Sequence, residues 1–139
     1  MDYRNLGSSG VKVSEVGIGA DQFGPRVDRP TVKRIIRAAL DNGVNFIDTA
    51  DIYGGGLSEE YLGDALQGYR VEMVIATKGR SPMGKGPNDQ GASRYHLMNA
   101  LEASLRRLRT DHVDLYQVHA FDPTTPLEET MRTLDEMVR

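Results

Sequence analysis

Asn45-Phe46-Ile47-Asp48-Thr49-Ala50-Asp51-Ile52-Tyr53-Gly54 reads as a short strand running into a loop that carries a phenol. Side chains alternate along a strand, so Phe46 and Asp48 share one face and Ile47 and Thr49 the other. A carboxylate therefore ends a strand that is otherwise built for burial. A buried carboxylate is costly unless a cation or hydrogen-bond donors meet it. Tyr53 follows five residues later, near enough in the chain to return to the same end. The partner of Asp48 is what the remaining sequence must supply.

Working back toward the N-terminus, Leu40, Ala39, Ile36, Ile35 and Val32 lie on one face of a helix expected over about 29–42. Pro30 suits its first turn and Gly43 a left-handed stop. Val16-Gly17-Ile18-Gly19 reads as a short buried strand. Its Gly-x-Gly is weak as a dinucleotide fingerprint, because the next glycine, Gly24, is out of place and no helix opens directly from the turn. Residues 2–14, with Gly7-Ser8-Ser9-Gly10 between two extended pieces, read as a hairpin ahead of the main domain.

Working forward, Ser58 is the expected N-cap of a second helix that runs to about Gln67, with Glu59 and Glu60 favoured by the helix dipole. Met73-Val74-Ile75-Ala76-Thr77-Lys78 is a near-continuous apolar run, the pattern of a parallel strand covered on both faces, and it ends on a lysine. Residues 79–92 hold four glycines and two prolines and read as a mobile loop at that same end. A third helix is expected over about 93–109, with Leu97, Leu101, Leu105 and Leu108 inward and Arg94, Arg106, Arg107 and Arg109 mostly outward. Val113 to His119 is a fourth strand, ending on a histidine. Thr125-Pro126-Leu127-Glu128 reads as a capping box opening a last helix. A hairpin followed by four βα units implies an α/β fold with a parallel sheet and right-handed crossovers, either a small open sheet or part of a (β/α)8 barrel.

Parity brings the polar strand ends together. Asp48 shares a face with Phe46, Lys78 with Ala76 and Val74, and His119 with Gln117 and Leu115. If that face is the inner one, Asp48, Lys78 and His119 meet at the C-terminal mouth of the sheet, where (β/α) proteins carry their chemistry. Lys78 and Asp48 can neutralise one another. An ammonium stabilises the anionic form of a neighbouring phenol, which suits Tyr53 to proton donation. His119 can hydrogen-bond a substrate oxygen. Such a set suits protonation of an oxygen that gains charge, as when hydride attacks a carbonyl. Taken singly, an Asp–Lys pair is more often structural than catalytic; three ionisable groups ending three strands at matching parity is what points to a site.

The bulk composition excludes several other classes. The 139 residues carry a net charge of −3, with 39% hydrophobic and 27% charged residues. This implies a soluble globular chain, expected as one domain over 1–139, with no general attraction to nucleic acid or anionic membranes. No apolar run is long enough to cross a bilayer. The first residues lack the apolar core of a signal peptide, so a cytoplasmic location is expected. Cysteine is absent, which removes disulfides and thiol catalysis. Three histidines without HxH or HExxH spacing argue against a metal site.

With these residues in view, the sequence resembles the aldo-keto reductase superfamily. The resemblance rests on Tyr3-Arg4-Asn5-Leu6-Gly7, the Asp48-Thr49-Ala50…Tyr53-Gly54 segment, Ser58-Glu59 with Leu62-Gly63, Ala76-Thr77-Lys78, and Ser104 to Leu108 through Asp114 to His119. It implies a (β/α)8 barrel of which this chain holds the first four βα units, residues 15–139, behind a bottom-lid hairpin, residues 2–14. It implies NADPH, or less often NADH, as cofactor and small aldehydes or ketones as substrates. By the same resemblance Asp48, Tyr53, Lys78 and His119 match the catalytic tetrad, with Tyr53 as general acid. Cofactor contacts expected in this half are Gly19, Ala20, Asp21, Asp48 and Tyr53. A complete barrel needs eight units and about 250 residues. Four strands leave an uncovered apolar face and open edges, so pairing through that face is expected, as a homo-oligomer or with a separate partner chain. The competing expectation is a catalytically inactive or truncated half-barrel that self-associates without a complete cofactor site.

Overall fold

The computed structural model describes residues 1–139. An antiparallel hairpin, β1 (Tyr3–Asn5) and β2 (Lys12–Ser14), precedes a four-stranded parallel sheet in the order β3 (Ile18–Gly19), β4 (Phe46–Asp48), β5 (Val74–Gly79) and β6 (Leu115–Val118). The helices α1 (Arg29–Asp41), α2 (Leu57–Ala65), α3 (Arg94–Leu108) and α4 (Leu127–Val138) follow these strands in turn. The sheet is α/β and parallel, as the alternation implies, and is consistent with four units of a barrel.

Two faces of the sheet differ sharply. Ile47 pairs with Ile75, and both are fully buried beneath Val32, Ile36, Leu62, Leu66 and Leu108. The core therefore lies between the sheet and its helices. The opposite face carries Phe46, Val74, Leu115 and Gln117, all only partly buried. Alternation assigns Phe46 and Asp48 to that open face, and the register agrees: Phe46 pairs with Val74, Asp48 with Ala76, and Lys78 with Gln117.

The hairpin docks at the N-terminal end of β4. Asn45 there accepts from Ser14 N through Oδ1 at 2.7 Å and donates to the Lys12 carbonyl at 3.0 Å, while Tyr3 OH donates to the Gly43 carbonyl. This leaves the opposite, C-terminal rim free.

Local signals were mostly confirmed, with instructive differences. The cap of α1 is Asp28, whose side chain accepts from Thr31 N. Ser58 is not a cap. It lies inside α2, and its hydroxyl meets Thr49 Oγ1 and the Ala20 carbonyl, each at 2.8 Å. The cap position falls to Gly56 in a left-handed conformation. No capping box forms at α4: Pro126 occupies the cap, and Thr125 Oγ1 donates to Asp122 instead. Tertiary partners outcompete the local cap in both cases. Arg107 turns inward rather than outward, because fully buried Glu59 needs a cation.

The 79–92 loop is internally tied. Gly91 N donates to the Arg80 carbonyl, Met83 N to the Asp89 carbonyl, and Gly86 N to Asp89 Oδ2. Asp122 anchors its far end by accepting from Ala92 N, and it also takes Thr124 N and both the Thr124 and Thr125 hydroxyls. These donors hold the Asp122 carboxyl well below the usual carboxylate range.

Candidate active site at the C-terminal rim

Lys78 is the centre of the rim. It stands one residue before the end of β5, on the open face, and its ammonium donates to Asp48 Oδ2 at 2.6 Å, to the Thr49 carbonyl at 2.8 Å and to Tyr53 OH at 3.3 Å. Three protons meet three acceptors, so the ammonium is saturated. Since Tyr53 accepts from Lys78, its own O–H proton is free to point elsewhere. Asp48 is a third exposed and Lys78 largely covered.

Backbone geometry brings Tyr53 back to the strand ends. Tyr53 opens a 3-10 turn in which Gly54, Gly55 and Gly56 have φ of 61°, 66° and 99°. An L side chain is strained in that region, so three successive glycines permit the reversal. At Gly54 a Cβ would also stand 3.2 Å from the Phe23 carbonyl oxygen. The turn is held to the sheet by Asp51 N, which donates to the Lys78 carbonyl at 3.0 Å.

His119 continues β6 by one residue, with its N–H on the Gly79 carbonyl at 2.9 Å. Its ring meets Tyr53 edge to face, with centroids 5.7 Å apart and planes at 83°. Its imidazole is held below its ordinary pKa, chiefly because burial disfavours the cation and next because the Lys78 ammonium repels it, with Asp48 opposing weakly. His119 is thereby kept neutral, able to donate from one nitrogen and accept at the other.

All four rim residues expected from the sequence therefore converge. Gly19 and Ala20 join them from β3: Gly19 pairs with Asp48, and Ala20 N donates to the Asp48 carbonyl at 2.9 Å. Asp21 is exposed at the same end and accepts from Gln22.

Sequence reasoning missed two contributors and one layer. The Thr49 carbonyl is a third Lys78 acceptor, and a backbone oxygen leaves no trace in residue type. Ser81 Oγ lies 3.4 Å from His119 Nδ1. Behind the rim, on the helix side of the sheet, Glu59 accepts from Thr77 Oγ1 at 2.5 Å and from Arg107 Nε at 2.7 Å. Asp51 is fully buried beside this pair, and neither of its oxygens has a hydrogen-bond partner. Its carboxyl is pushed up to about 6, first by burial and then by the charge of Glu59.

A sequence model described as the Aldo/keto reductase family matches residues 15–139. The chain is 41% identical over 141 residues to a probable voltage-gated potassium channel subunit beta from Oryza sativa subsp. japonica, covering 99% of this chain and 43% of that protein. It is 38% identical over 143 residues to the aldo-keto reductase YhdN of Bacillus subtilis (strain 168), again covering 99% and 43%. Among solved structures, the holo form of aldo-keto reductase AKR11C1 from Bacillus halodurans superposes with a TM-score of 0.87 at 38% identity, covering 99% of this chain and 46% of that one. The chain thus spans less than half the length of these relatives. With the family's sequence pattern running through all but the N-terminal hairpin, the chain belongs to the aldo/keto reductase family.

Proposed function

We propose that this chain carries the acid–base half of an NAD(P)H-dependent carbonyl reductase, acting on aldehyde or ketone groups of small molecules. The observation that carries the reading is one ammonium, Lys78, joined to both a carboxylate and a phenol at the C-terminal rim. A purely structural Asp–Lys pair has no need of an uncommitted phenol proton beside it.

The rim residues fit a nicotinamide cofactor. Gly19 is exposed, and nothing stands within 4 Å of where a Cβ would be, so a ligand can approach the backbone there. Gly19, Asp21, Asp48 and Tyr53 would hold the cofactor in this half, NADPH first and NADH second; Ala20, expected among them, is fully buried, with its N–H on the Asp48 carbonyl and its own carbonyl taken by Ser58 and Phe23, and supports the rim from behind. When bound, it supplies hydride to the carbonyl carbon. The chain's own part is proton transfer. Tyr53 gives its O–H proton to the carbonyl oxygen as that oxygen gains charge. Lys78 stabilises the resulting phenolate, and Asp48 holds Lys78 in place. Neutral His119 orients the carbonyl oxygen by hydrogen bonding.

Titration of NADPH fluorescence, followed by turnover of a simple aromatic aldehyde, tests the reading. Saturable binding and measurable turnover are expected. Tyr53→Phe should lower turnover by roughly 10²–10⁴-fold, the usual worth of a general acid, while the retained ring, Tyr53's contribution to holding the cofactor, keeps affinity nearly unchanged. No saturable binding up to millimolar NADPH would end the proposal. A second reading draws on the channel-subunit relative and on the partial coverage of the relatives named above: an assembly module that keeps the motif without turning over substrate. Binding without turnover, equal in parent and Tyr53→Phe, would favour it.

A further inference from the structure

The chain leaving β5 meets His119 twice. At the backbone, the Gly79 carbonyl accepts from His119 N at 2.9 Å. At the ring, Ser81 Oγ stands 3.4 Å from Nδ1. The residues between these two contacts are shaped for them. A Cβ on Gly79 would collide with the Tyr116 hydroxyl, so only glycine lets the backbone pass that ring. Arg80 holds a φ of 102°, a region that L side chains rarely adopt. Such backbone persists where the surrounding contacts over-determine it, and it gathers at functional sites. Here the Arg80 carbonyl accepts from Gly91 N at 2.9 Å, closing the neck of the loop, and its guanidinium donates to the Phe121 carbonyl at 3.4 Å. Ser81 is the first side chain beyond that strained residue, and it is half-buried against His119.

We infer that the Ser81 hydroxyl sets the tautomer of His119, donating to Nδ1 so that the ring's one proton sits on Nε2. A neutral imidazole carries one N–H and one bare nitrogen, and the hydrogen bond made by one nitrogen decides the state of the other. Nδ1 is the one side-chain partner the Ser81 hydroxyl meets. With the ring proton on Nδ1, the hydroxyl would have to accept, and its own proton would lose that partner. With the ring proton on Nε2, the hydroxyl proton is taken up by the Nδ1 lone pair. The contact is long, as hydrogen bonds in a site without substrate often are.

His96 supplies the contrast within the same chain. Its Nδ1 lies 3.1 Å from the Asn88 carbonyl, on the same loop. A carbonyl only accepts, so Nδ1 carries the proton there, and Nε2 is left bare, buried and without a partner. One loop thus holds two histidines in opposite tautomers. The consequence for chemistry rests on the reductase reading. Nε2–H is the form that donates to a carbonyl oxygen gaining charge, whereas a bare Nε2 would set its lone pair against that oxygen. Ser81 is then a positioning residue, acting through His119 without touching substrate.

NMR of the ring nitrogens in the free chain tests this, at a mildly alkaline pH where the imidazoles are neutral. Protonated and bare ring nitrogens resonate in separate ranges, and His119→Gln and His96→Gln each remove one set of signals and so assign them. The parent should show His119 with its proton on Nε2 and His96 with its proton on Nδ1. Ser81→Ala should shift the two His119 signals toward each other as the tautomers exchange, with His96 unmoved, and Ser81→Thr should restore the parent pattern. A His119 proton on Nδ1 in the parent, or a Ser81→Ala spectrum identical to it, would overturn the inference. If Ser81→Ala displaces the whole loop, His96 moves too, and the parent spectrum with Ser81→Thr decides. No cofactor, substrate or turnover enters the measurement. A wrong tautomer therefore leaves the reductase reading standing, and a chain that fails to bind NADPH leaves the tautomer standing.

Discussion

Asp51 has a carboxyl with no hydrogen-bond partner and no exposure, next to Glu59. Its pKa rises from an ordinary 3.8 to about 6 in the folded chain. A raised carboxyl binds its proton more tightly when folded. Its penalty is therefore absent below the unfolded value, grows as pH climbs from about 4 to 6, and is fully present above 6. At pH 7 that cost is on the order of 3 kcal/mol. Asp51→Asn keeps the shape and removes the ionisation. Urea unfolding should show the variant more stable than the parent at pH 7 and level with it near pH 4; equal pH dependence in the two would refute the assignment. None of this was legible in the sequence, where Asp51 is one more polar loop residue. Asp48, Lys78 and His119 were legible, because strand alternation assigns a face to each and a charged residue ending an apolar run stands out. Tyr53 was legible through its spacing from Asp48. Glu59 and Arg107 were not, because they meet only through the packing of two helices 48 positions apart.

At the scale of elements, α2 and α3 are held in register by that buried ion pair and by the close approach at Gly63. A Cβ on Gly63 would stand 2.5 Å from the Arg107 carbonyl oxygen and 2.7 Å from the Leu108 carbonyl carbon. Alanine improves helix propensity by about 1 kcal/mol, but backbone atoms cannot rotate away as a side-chain tip can, and overpacking costs about 1–3 kcal/mol. The clash should win, and Gly63→Ala should lower the urea midpoint. Removing the cation should cost more. Arg107→Met leaves Glu59 uncompensated in the core, with an expected loss of about 3–5 kcal/mol; adding Glu59→Gln should recover part of it. Helix α1 was readable from apolar spacing and the Gly43 stop, and α3 from its leucine spacing alone, since it ends on Arg109, a non-glycine residue in the left-handed region. The strands proved shorter than their apolar runs, since Met73 and Val113 serve as core residues before ladder pairing begins at Val74 and Leu115. The caps of α2 and α4 misled because Ser58 and Thr125 have better partners in other elements.

At the scale of the molecule, the largest buried cluster lies on the helix side of the sheet, and on the open face only small Ala76 is fully buried. If a second copy covers that face, as expected from the sequence, folding and association are one equilibrium, and stability must depend on chain concentration. The dimer's unfolding then gains about 1.4 kcal/mol for each tenfold rise in concentration. A rise from micromolar to hundreds of micromolar should move the thermal midpoint upward by several degrees, given that 1 kcal/mol corresponds to about 2–8 °C for domains of roughly this size. A monomer that keeps its open face in water has no such dependence. Leu134→Asp places a charge on the apolar flank of α4 beside the β6 edge, while Arg107→Met perturbs only the interior. The first should flatten the concentration dependence, and the second should lower the midpoint at every concentration without changing the slope. A midpoint that does not move with concentration in the parent chain would leave the open face solvated and the second copy excluded.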